Sequence, residues 1–366
     1  MELHLFIIWS NAKYREAEIL SDLATRFKIL GIHTVTWEKR HFSANLTRFY
    51  GENLPPHSNK ERICGNGPFT LVVVMDEHPL YRIRKTSKGH AVVNVNIFDS
   101  KEMYRYWTGG GHMIHGTNSV AEVKHDIVLL TGSSLTDYYN RAKDREEPLT
   151  EAFDAMPGED HWDSMDQLLY VLNETVEYVV LRNFSGLFSD YGHSIHGDVD
   201  ILTNNRYLAK LALNAKPVFK SKRRVKHLVK IGDGGTFFDI RYTGDDYYCR
   251  EWEEDILKSR KLSEEGYFMP SDENFAYALL YHALVQKPEI ASDYIEIFKK
   301  LFPDCDKPAL TARLKEFLRK NDYRMIEPAD YSVYFNRKIT GKRMSLGKFM
   351  NKAWFRLFVR GKGKTE

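Results

Sequence analysis

Gly197-Asp198-Val199-Asp200-Ile201-Leu202 sets two carboxylates, one residue apart, in a run of branched aliphatics. In a strand, side chains alternate with a period of two, so Asp198 and Asp200 share one side while Val199 and Ile201 face a core. Paired carboxylates repel unless a cation lies between them. A hard cation such as Mg²⁺ or Mn²⁺ takes such a site and brings phosphate oxygens with it. Phe237-Phe238-Asp239-Ile240-Arg241 reads as a second strand with one acid in an apolar run. Laid beside the first, it makes Asp239 the third ligand of a metal cradle. Asp233-Gly234, between the Val225–Ile231 run and this one, is a two-residue hairpin signal that makes the two strands neighbours.

The preceding strand, Tyr178-Val179-Val180-Leu181, leaves through Arg182-Asn183-Phe184, a basic and polar exit from an apolar run. Gly197 allows a ligand to approach the backbone closely. This layout (VVLRNF, GDVDIL, FFDIR) resembles the nucleotidyltransferase fold, and within it bacterial surface-polysaccharide biosynthesis proteins. The resemblance implies metal on Asp198, Asp200 and Asp239, with nucleotide contacts from Arg182 and Asn183. It also implies phosphoryl or nucleotidyl transfer to a sugar or alditol phosphate in capsule or lipopolysaccharide assembly. The donor would be a nucleotide or nucleotide-activated sugar or alditol, and the acceptor a glycan or lipid-linked glycan. The family's Gly-Ser turn ahead of the acidic strand is replaced here by Arg182-Asn183. Two alternatives stand beside it: a glycosyltransferase using a nucleotide-sugar donor, and a non-catalytic nucleotide-binding scaffold.

Upstream, residues 3–9 alternate as a first strand, and Tyr14 to Leu30 has helical spacing closed by Gly31. Ile32 to Trp37 is a second strand, Phe42 to Tyr50 a helix, and Pro68 to Met75 a β-branched strand, an α/β order. Gly109 to Ser119 then leads into a helix from Val120 to Leu130. Met113-Ile114-His115-Gly116-Thr117-Asn118-Ser119-Val120, with Asp126-Ile127 downstream, resembles the histidine motif of nucleoside diphosphate kinases. The similarity spans residues 3–132 and implies a ferredoxin-like α/β sandwich with His115 as phosphate carrier. A histidine takes a phosphoryl group on one ring nitrogen when an acceptor holds the other; Asp126, eleven residues on, is that acceptor. By the same resemblance Tyr50 matches the active-site tyrosine and Thr117 a hydroxyl beside the histidine, while Arg105 and Asn118 contact phosphate. The family's Lys-Pro after strand one is absent, with Lys13 nearby, and its arginine-bearing loop is shortened. A domain that binds a nucleotide without turnover fits the same residues.

At 366 residues, with 43% hydrophobic and 28% charged side chains, the chain suits two globular domains. The domains expected are 1–135 and 165–262, joined by a polar, Pro/Gly-marked linker over 136–164. The second opens on a helix from Met165 to Val176, and a helical extension over 263–336 follows it. His282 reads as a core histidine. There is no apolar run near the length of a membrane span, and the N-terminus reads as a strand and not as a signal peptide. Three scattered cysteines fit a reducing cytoplasm. Residues 337–366 hold ten Lys/Arg against one acid, Glu366. The rest is mildly acidic, which argues against generic nucleic-acid binding. In that tail Leu346, Phe349, Met350, Trp354 and Leu357 share one helical side, and Lys348, Lys352 and Arg356 recur on another. This basic amphipathic pattern predicts peripheral attachment to an anionic membrane surface on the inner face. Oligomeric state is left open.

Overall fold

The computed structural model describes residues 1–86, 89–182, 184, 198–221 and 223–341. Asn183, Gly197 and the amphipathic part of the tail lie outside them. The chain is of mixed α/β class and divides into two compact units: Met1–Val176 with Lys210–Asn214, and Glu177–Ala209 with the chain from Ala215 onward.

Unit one runs β1 (Glu2–Ile8), a 3-10 turn (Ser10–Arg15), α1 (Glu16–Arg26), β2 (Lys28–Val35), α2 (Phe42–Tyr50), α3 (Asn59–Cys64) and β3 (Phe69–Asp76). A hairpin of β4 (Tyr81–Thr86) and β5 (Gly89–Asn94) follows, then α4 (Val95–Trp107), β6 (Ile114–Gly116) and α5 (Val120–Thr131). Last come α6 (Leu135–Ala142), β7 (Ala152–Phe153) and α7 (Met165–Thr175). The main sheet has the order β6-β1-β3-β2-β7. β1 and β2, joined through α1, flank β3; β3 and β6, joined through α4, flank β1. Two β-α-β units thus interleave, and all neighbours are antiparallel except β2 and β7. β3 is buried along its whole length, in keeping with its apolar run from Leu71 to Met75.

Two expectations are corrected here. The helix expected from Tyr14 to Leu30 stops at Arg26, and Lys28-Ile29-Leu30 join β2, the pairing of Lys28 and Ile29 with β3 overriding the helical spacing. Gly31 sits inside that strand. A Cβ there would lie 1.9 Å from the Tyr138 hydroxyl and 2.5 Å from His33 Nε2, so the residue permits close packing and does not end a helix. The segment 136–164, expected as linker, is folded. Ser134 caps α6, and Leu149 and Glu151 hydrogen-bond the outer edge of β2. Trp162 is buried, donating from Nε1 to Leu213 O at 2.9 Å. α7 packs on α5, so the helix expected to open the second domain closes the first unit instead.

Unit two contains β8 (Tyr178–Val180), β9 (Asp198–Thr203), β10 (Lys216–Pro217), β11 (Lys226–Ile231) and β12 (Gly234–Tyr242); α8 (Arg206–Ala212) crosses the division. Next are α9 (Arg250–Lys258), β13 (Lys261–Leu262), β14 (Phe268–Met269), α10 (Asp272–Val285), α11 (Ser292–Leu301), α12 (Lys307–Lys320) and α13 (Arg337–Thr340). Its main sheet is β10-β11-β12-β9-β8, with β9 and β12 parallel and the other pairs antiparallel. Val179 and Leu202, cross-strand partners, pack with Trp252, Leu280, Phe298 and Leu314 in one helix-covered core. That cover lies over the far end of the face whose near end carries Asp198. No helix among the described residues is long and apolar enough to cross a membrane.

Candidate functional site

β9 and β12 bring the three acids to one face. In the parallel pair Asp200 is in register with Asp239, and Asp198 with Phe237; neighbours in register point the same way. The alternate residues Val199, Ile201, Phe238 and Ile240 are buried on the opposite face, and their burial fixes the register. β11 adds Lys226 opposite Asp239. The turn is not the expected Asp233-Gly234: Ile231 pairs with Gly234, leaving Gly232-Asp233 as the loop, with Gly232 at φ 54°. Glycine at the first central position suits such a hairpin.

Cations stand against each acid. Lys226 Nζ donates to Asp198 Oδ2 at 2.7 Å, Arg182 Nη2 lies 3.0 Å from Asp200 Oδ1, and Arg241 Nη2 lies 3.9 Å from Asp239 Oδ2. Arg182 and Asp200 are both buried. Arg182 also donates to the Tyr247 hydroxyl at 2.7 Å, whose ring lies 4.2 Å from the Arg241 guanidinium carbon. Burial, then the charge of Asp200, pushes the Asp239 carboxyl up to about 6. Burial is the larger cause, and Arg241 and Lys226 only partly offset it. The three carboxylates are not among the described groups whose ligand atoms lie close enough together to share one ion, so a hard divalent cation would have to draw them off their present cation partners. A cation entering this face must take an oxygen from Lys226 or Arg182. Asn183, expected beside Arg182, lies outside the described residues.

In unit one the histidine stands on β6. His115 Nε2 lies 2.8 Å from Asp126 Oδ2, and His125 Nδ1 lies 2.9 Å from Asp126 Oδ1. Burial acts to raise the Asp126 carboxyl, but the hydrogen bonds from His115 and His125 outweigh it and hold the group below the usual range. An ionised carboxylate only accepts, so both facing nitrogens carry protons and His115 keeps Nδ1 for another partner. The rings of Phe49 and Tyr50 stand edge-on, 5.2 and 5.8 Å from the imidazole. Burial raises the Tyr50 phenol well above its usual value.

The other expected contacts are engaged elsewhere. Thr117 is fully buried, its hydroxyl 3.0 Å from His4 Nδ1 and accepting from Leu5 N. Asn118 Oδ1 accepts from Lys101 Nζ at 2.7 Å. Arg105 donates to Ile114 O at 2.9 Å and pairs with Glu102. His282 is a core histidine, 3.0 Å from the Tyr247 hydroxyl.

Sequence reasoning missed Lys226, Lys101 and Lys60. Counting outward from the correct hairpin loop finds Lys226. A lysine on a helix gives no signal that it turns inward as Lys101 does, where burial lowers its ammonium to about 8. Nor does one reveal that Lys60 Nζ lies 3.1 Å from the centre of the Tyr50 ring. Among the described residues, side chains with ligand atoms close enough to share one ion are His115, Glu122 and Asp126, and separately His41, Glu159 and Asp160. No protein-family model and no curated protein matches this chain.

Proposed function

We propose that the chain is a metal-dependent phosphoryl or nucleotidyl transferase acting through Asp198, Asp200 and Asp239. The observation that carries this is the register of β9 and β12, which sets Asp239 beside Asp200 with Asp198 on the same face. Mg²⁺ or Mn²⁺ on these oxygens would polarise a phosphoryl group and lower the pKa of an acceptor hydroxyl. Lys226 supplies a mobile cation: released from Asp198, its ammonium can neutralise a substrate phosphate. Arg182, anchored by Tyr247, holds Asp200 in one orientation. The resemblance to surface-polysaccharide nucleotidyltransferases extends the proposal to a sugar or alditol phosphate acceptor. Isothermal titration with Mn²⁺ tests the metal site. Binding by the wild type that is lost in both Asp198→Asn and Asp239→Asn is expected, and undiminished binding by the double variant would end the proposal.

A second activity in unit one is favoured by the 2.8 Å contact of His115 with Asp126. The interleaved β-α-β order agrees with the ferredoxin-like arrangement that the nucleoside diphosphate kinase resemblance implies. In this reading Nδ1 of His115 attacks the terminal phosphorus of a nucleoside triphosphate and releases the diphosphate. Acid-labile label on the protein that is absent from His115→Ala is the expected result.

A further inference from the structure

The acidic face also carries an open aromatic ring. Phe237 is in register with Asp198 on one side and Leu228 on the other, and it lies two residues from Asp239 on the same face. It is 37% exposed, whereas its neighbour Phe238 is fully buried. Lys226 links ring to acid, its Nζ 4.6 Å from the Phe237 centroid and 2.7 Å from Asp198 Oδ2. Leu228 extends the apolar surface. Its side chain leans over Gly235, where a Cβ would meet Leu228 Cδ1 at 2.8 Å, so glycine there leaves Leu228 in place beside the ring.

The strip therefore passes from apolar shelf to ammonium to carboxylates over two residues of strand, about 7 Å. A ligand matched to this sequence has a flat ring at one end and phosphates at the other. A wholly apolar ligand would leave Lys226 and the acids unsolvated, and a bare polyphosphate would leave the ring in water. We propose that Phe237 is the platform on which the base of a nucleotide stacks while its phosphates lie toward Lys226 and the carboxylates. Stacking on a ring tolerates any base, so the platform selects nucleotides over phosphates without selecting among bases. The inference rests on the carboxylate face being a phosphate site.

Titration of the full chain in Mn²⁺ with inorganic triphosphate, ATP and CTP separates the two. For the wild type, ATP and CTP are expected to bind roughly 5- to 150-fold tighter than triphosphate, the range of one base-on-aromatic stack. Phe237→Ala should erase that advantage while triphosphate binding persists; because the side chain is only 37% exposed, some loss in melting temperature is expected, and the ratio of ATP to triphosphate affinity is the readout. Phe237→Trp should keep it. Equal affinity for all three probes in the wild type, or an advantage that survives Phe237→Ala, overturns the platform and leaves the carboxylate site standing. No binding of triphosphate at all overturns both.

Discussion

Asp200 lies directly across the parallel β9–β12 pair from Asp239, and after burial its charge is the largest influence pushing Asp239 up to about 6. A carboxyl whose folded-state pKa is raised holds its proton more tightly folded than unfolded. Its contribution to stability is therefore present at low pH and lost as pH rises through about 4 to about 6, by on the order of 3 kcal/mol. Asp239→Asn removes that loss. In chelator at pH 7 the variant should be about 1–3 kcal/mol more stable than wild type. Mn²⁺ should reverse the order by stabilising only the wild type. Urea denaturation with and without metal checks both; an Asn variant less stable in chelator would contradict the assignment.

The same proton competes with the metal. Only the ionised carboxylate is a ligand, so Mn²⁺ affinity should be flat above about pH 6 and fall about tenfold per unit below it. Titration calorimetry between pH 5 and 7.5 measures this. A pH-independent affinity would mean that Asp239 is not a ligand.

Asp126 accepts from two imidazoles at once, so Asp126→Asn cannot satisfy both as a charged acceptor does. A loss of about 1–3 kcal/mol in stability is expected. Any phosphorylation of His115 should slow more than tenfold, because Nε2 loses the group that orients the ring. Rapid-quench labelling reads the rate; an unchanged rate with a destabilised protein would leave Asp126 a purely structural residue.

Gly31→Ala offers a test of packing. In an open strand the change would stabilise by about 0.5–1 kcal/mol. Against the Tyr138 hydroxyl it should destabilise by about 1–3 kcal/mol. In a Tyr138→Phe background, which removes the nearest atom, part of that loss should return. A double-mutant cycle that is additive would refute the contact.

The long regular elements were legible. Phe42–Tyr50 stands as its spacing predicts, the helical extension expected over 263–336 holds the helices Asp272–Val285, Ser292–Leu301 and Lys307–Lys320, and the β-branched run ending at Met75 is the central strand. What misled was local signal opposed by long-range pairing. Lys28-Ile29-Leu30 continue the spacing of α1, yet β3 claims Lys28 and Ile29, and Leu30, skipped in that register, accepts from Leu149 N. The charge run 143–148 and the Pro-Gly pair at 157–158 look like a linker, because the partners of Leu149 and Trp162 lie far away in sequence. At the acidic face the alternation of Asp and aliphatic residues revealed which side chains cluster. The partner at Asp239 depended on which two residues of Gly232-Asp233-Gly234-Gly235 make the loop, and one step in that choice exchanges Leu228 for Lys226.

The two short strands of unit one have a consequence beyond the unit's own core. Its three central strands span seven or eight residues, but the sheet is bordered by β6, of three, and β7, of two. A long strand left bare along one edge is a template on which another chain can add. Here the segment from Leu149 to Phe153 shields the outer rim of β2, and β6 shields part of β1. A nick within 143–148 that let this segment lift would expose β2 as a ready seam for fibre growth.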